Sequence, residues 1–153
     1  MSRFDLGDAK DYGDFLNIMA AAFGRVERWI EDRWHAASIN DRWSPRAPLA
    51  LRDLEILERP PVAPIEERFE PAGDGKPEIL GALYVLEGSR LGSRVLRKRV
   101  APGLPTHFLD DSEPPLAWRD LLRRIEGLSP MDLDRSSKAA SAVFDIFLKA
   151  ASR

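Results

Sequence analysis

The 153-residue chain has no cysteine. That excludes a disulfide framework, a thiolate metal site and a cysteine nucleophile. Histidine is nearly as scarce: His35 and His107 are the two in the chain. No stretch approaches the ~20 apolar residues of a membrane span. The opening Met-Ser-Arg-Phe-Asp has no basic region followed by an apolar run, so it does not read as a signal peptide, and the cytoplasm is the expected location. The net charge is only -2, which favours neither nucleic acid nor an anionic membrane as partner. No segment alternates in the manner of a strand, and no repeat is visible. A phosphate-binding loop, metal-ligand spacing and a Ser-His-Asp arrangement are also missing.

What is present is the balance of an ordinary globular protein, 44% hydrophobic and 31% charged, in a length suited to one domain with a real core. From Asp8, a candidate N-cap, apolar residues recur at Tyr12, Phe15, Leu16, Met19, Phe23, Val26, Ile30 and Trp34. Spacings of three and four predict a helix to about Trp34, weakened slightly by Gly13 and Gly24. After a polar break over residues 38–46, Leu49, Leu51, Leu54, Ile56 and Leu57 predict a shorter helix that Pro60, Pro61 and Pro64 end. Residues 59–77 read as a loop, too long for a tight connection and suited to covering a surface. A third helix is predicted over residues 78–99, apolar nearly all round in its first half and therefore buried, with Arg97, Lys98 and Arg99 at its C-terminus. A short turn near Thr106 follows, then a helix from about Pro114. Ser129-Pro130, with Asp132 three residues on, opens the last helix. The fold class is all-α.

The third helix contains Gly88-Ser89-Arg90-Leu91-Gly92-Ser93. Two glycines in a helix interior cost roughly 1 kcal/mol each relative to alanine. Close helix–helix approach or a kink would account for them. So would a flat ligand lying where any Cβ would collide. The local sequence leaves both open.

Residues 80–93, Leu-Gly-Ala-Leu-Tyr-Val-Leu-Glu-Gly-Ser-Arg-Leu-Gly-Ser, closely resemble the distal-helix signature of bacterial haem oxygenases, of the type often paired with bacteriophytochromes. Ser2-Arg3-Phe4-Asp5-Leu6 through Tyr12-Gly13-Asp14-Phe15-Leu16 resembles the family's second helix and the turn before it. Residues 100–105, Ala117-Trp118-Arg119 and Ala142-Val143-Phe144-Asp145 resemble later segments, so the likeness covers nearly the whole chain. The resemblance implies a helical bundle with a distal helix kinked at its glycines and lying flat over haem. It implies conversion of haem to biliverdin, carbon monoxide and iron, using dioxygen and an electron donor. By position, Gly88 and Gly92 would let the backbone approach the macrocycle. Ser89 would sit beside bound dioxygen and help hold the water that delivers protons. Ser93 stands where a glycine is usual and narrows the pocket.

The resemblance also implies a preceding helix with the iron-ligating histidine, and that helix has no counterpart here. His35 and His107 do not match the ligand position, and each reads as a surface or capping residue. Arg119 and Arg123, with Arg124, are candidates for pairing with haem propionates, although a solvated basic face explains them as well. Trp29, Trp34, Trp43 and Trp118 suit either an aromatic pocket or core packing. Losing a helix from such a bundle would leave an apolar groove open, with Trp29 or Trp34 near it and a homodimer or partner protein over it. Two functions follow as expectations. One is a haem oxygenase impaired in this chain for want of the proximal histidine. The other is a non-catalytic relative that binds a tetrapyrrole or a protein.

Overall fold

A computed structural model describes residues 4–35, 37, 39, 43–60, 63–65, 68–71, 73–110 and 116–153. Among these residues all regular structure is helical. The helices are α1 (Ala9–Arg33), α2 (Ala47–Ile56), α3 (Lys76–Arg97), α4 (His107–Asp110), α5 (Trp118–Glu126) and α6 (Pro130–Ala151). The expected all-α class is thus observed.

The ends obey local chemistry. The Asp8 side chain accepts from the backbone N–H of Asp11 at the start of α1. Ser129 does the same for Asp132, and Pro130 opens α6. Each satisfies a donor that the first helical turn leaves without a partner. α2 ends at Ile56, ahead of Pro60, and Glu58 just beyond it takes a φ of 56°, in the left-handed region. α5 begins at Trp118, later than the expected start near Pro114, which lies outside the described residues; Leu116 and Ala117 before it are not helical.

α3 packs most extensively on α6, and α1 on α2 and α6, whereas α1 and α3 touch only sparingly. The close α3–α6 approach is made possible by Gly81: a Cβ there would collide with the backbone carbonyl of Ser136. At the N-terminal ends of the same two helices the buried Glu78 carboxylate takes a forked pair of bonds from Arg135, at 2.7 and 2.9 Å. α3 itself runs unbroken as α-helix through Gly88 and Gly92.

The stretch after α2 covers the C-terminal half of α1. Phe69 is buried edge-on against Trp29, ring centroids 5.2 Å apart, and Trp34 packs on Trp43 at 5.3 Å. Trp29 and Trp34 are therefore only 7% and 4% exposed. The expectation that one of them borders an open groove is corrected: the long loop and the segment around Trp43 fold back and bury them.

Candidate functional site

Because α1 and α3 diverge, an apolar groove of about 850 Å³ opens between them, with α6 on one flank and α5 at one end. α1 contributes Phe15, Ile18 and Met19, and α6 contributes Phe144, Phe147, Leu148 and Ala151. The α3 wall is Tyr84, Val85, Gly88, Ser89, Leu91, Ser93 and Leu96. Two large apolar side chains of this lining are largely exposed, Phe144 at 54% and Leu148 at 66%. Such a patch is unusual on a protein surface without a function.

Gly88 sits in this wall, whereas Gly92 is exposed and outside the groove lining. A Cβ on Gly88 would make only ordinary contact, 3.8 Å from Trp118, and one on Gly92 would meet nothing within 4 Å. Gly92 lies one turn beyond Gly88 on the same face. No neighbouring helix requires these two glycines, in contrast to Gly81. Gly88 keeps the groove open where α3 passes Trp118.

Trp118 closes one end. Its ring stacks on Tyr84, centroids 5.4 Å apart and planes 26° from parallel. Of the four tryptophans it is the one in the groove lining.

Behind the wall lies a buried polar set. Arg46 is 1% exposed, and its Nη2 donates to Ser93 Oγ at 3.1 Å and to the Phe108 carbonyl at 3.0 Å. The guanidinium stands over the Phe108 ring at 4.3 Å, a favourable placement of a cation on a π face. Ser93 in turn donates to the Ser89 carbonyl at 3.1 Å. The Ser93 hydroxyl is thus held between Arg46 and its own helix, in the wall. Glu87 and Arg90 form a buried ion pair at 2.6 Å on the inner side of α3. Sequence reasoning missed Arg46, which falls at the end of a polar break and carries no motif.

The Glu27 carboxylate accepts from the backbone N–H groups of Arg46 and Ala47, at 2.6 and 2.8 Å. Burial pushes its pKa up to about 7, against the pull of those two bonds and of Arg46 and Arg90. The Tyr12 hydroxyl donates to the Pro105 carbonyl at 2.7 Å, and burial raises its pKa well above the ordinary value.

The other candidate residues lie away from the groove. His35 is exposed just past the end of α1. His107 opens α4, and its Nδ1 sits 2.7 Å from the fully buried Asp53 carboxylate. Asp53 also accepts from the backbone N–H of His107 at 3.1 Å and of Phe108 at 2.9 Å. Neither histidine lines the groove. Arg119 and Arg123 are exposed on α5, Arg123 within 3.9 Å of Asp120. No cluster of metal-ligating side chains occurs among the described residues, and none of their helices is long and apolar enough to cross a membrane.

Fold and site together define an all-helical protein with an apolar groove walled by a glycine-bearing helix. The chain is similar to the haem oxygenase of Xanthomonas campestris pv. campestris (strain 8004), with 29% identity over 145 residues, covering 89% of this chain and 82% of that protein. No family model and no solved structure matches it.

Proposed function

We propose that this chain is a haem-binding protein of the haem oxygenase type, and that the groove over Gly88 and Ser89 is its haem seat. The observation that carries this reading is the space left at Gly88, in the groove wall. Glycine is costly there, no protein neighbour needs it, and apolar side chains surround it. A flat apolar macrocycle lying against the helix accounts for all three. The volume lies within the ~300–1,000 Å³ of small-molecule sites. Charge complementarity supports the occupant as well. The groove reaches Leu96 at the C-terminal end of α3, where Arg94, Lys98 and Arg99 are exposed and Arg97 is paired with Asp110 at 2.7 Å, a basic edge suited to an apolar ligand with carboxylates. Arg119 and Arg123 are further candidates for that edge.

The residues present fit the macrocycle but not its iron. Among the described residues no imidazole lines the groove, so this lining offers the metal no histidine ligand. An axial ligand is the main protein lever on haem iron chemistry. The chain's own contribution is accordingly to seat the macrocycle, with the Ser89 hydroxyl in the wall as the candidate for holding a water. Biliverdin formation by this chain alone is expected to be weak or absent.

The test is a haem titration followed by absorbance, with Gly88→Leu as comparison. One saturable site, lost in the variant while helicity by circular dichroism is kept, supports the reading. Binding that the variant leaves unchanged would place haem elsewhere and sink it.

A further inference from the structure

Two contributions hold a metalloporphyrin in a protein: burial of the macrocycle and a bond from a side chain to the metal. This groove supplies the first generously. For the second, its lining carries few donors. Ser93 is already engaged by Arg46 and Ser89. Tyr84 lies stacked on Trp118. Met19 is a thioether, a soft ligand poorly matched to ferric iron on its own. Both histidines are outside. Asp53 holds His107 at its Nδ1, and Phe108, the next residue along α4, is the one that enters the groove lining.

We infer that the groove is a metal-indifferent tetrapyrrole site, taking metal-free protoporphyrin as readily as haem. The inference rests on the reading of the groove as the haem seat, and names its ligand class. Affinity comes from burying an apolar disc against Val85, Gly88 and the facing side chains of α1 and α6. That term is the same whether the ring centre holds iron or two protons.

The experiment titrates the full chain with haem and, separately, with metal-free protoporphyrin. Binding is followed by quenching of tryptophan fluorescence, since Trp118 stands at the groove end, and by visible absorbance. Gly88→Leu and Ser89→Leu serve as blocking variants, with circular dichroism as the check on folding. The expected result is two dissociation constants within about threefold of one another, both greatly weakened in either folded blocking variant. The haem spectrum should also be indifferent to His35→Ala, His107→Ala, Tyr84→Phe and Met19→Leu. Haem binding more than about thirtyfold tighter than the metal-free ring, with a spectrum that one of those four substitutions abolishes, would overturn the inference while leaving the groove as haem seat. Failure of both ligands to bind, or binding that survives both blocking variants, would overturn the seat itself.

Discussion

The carboxylate of Glu27 on α1 holds the backbone N–H of Arg46 at 2.6 Å, and so fixes the first turn of α2 against α1. Burial raises its pKa from the ordinary 4.5 to about 7. The folded state therefore binds a proton that the unfolded chain has released between those two values. Its contribution to stability is full below pH 4.5 and is lost as pH rises through 7. The loss amounts to roughly 3 kcal/mol at about 1.4 kcal/mol per unit. Urea denaturation between pH 5 and pH 8 should show stability falling, and Glu27→Gln should flatten the slope. An unchanged slope in the variant would assign the titration to other groups.

The same substitution at two glycines of α3 should have opposite signs. Gly81→Ala drives a Cβ into the Ser136 backbone, and overpacking of this kind costs about 1–3 kcal/mol or more. Gly92→Ala meets nothing, so it should stabilise the ligand-free protein by about 0.5–1 kcal/mol. Thermal denaturation of the two variants decides this. Two destabilised variants would mean that Gly92 also serves packing.

Free imidazole should complete what the groove lacks. Added to the haem complex, it is expected to bind the iron and shift the absorbance bands, at a concentration that His35→Ala and His107→Ala leave unchanged. A complex already saturated by a protein ligand would show no such shift.

Phe144 and Leu148 stand exposed on α6 beside the groove, and apolar patches of this kind drive association. The ligand-free chain should therefore self-associate at high concentration in light scattering. Phe144→Glu or Leu148→Glu should return it to monomer. A wild-type chain that stays monomeric throughout would remove the groove as an association surface.

Much of the secondary structure was legible residue by residue, because caps and periodicity are local. Asp8 and Ser129 announced their helices, and the three-and-four spacing from Tyr12 to Ile30 described a buried face that the fold indeed buries. The small residues at Gly88, Ser89 and Gly92 could be singled out for the same reason: a glycine in a helix interior is a local anomaly. Tertiary structure alone decided what each anomaly meant. Gly81 and Gly92 look alike in sequence, yet one is pressed against the α6 backbone and the other faces open space. Trp34 and Trp118 look alike too, yet the first is covered by Trp43 and the second caps the groove. Arg46 carries no sequence signal, because its partners Ser93 and Phe108 lie 47 and 62 residues away. The sequence by itself determined where helices begin and where the chain can spare side-chain volume. Which of those places became a packed interface and which an open groove depended on contacts between distant segments, and no local pattern records those.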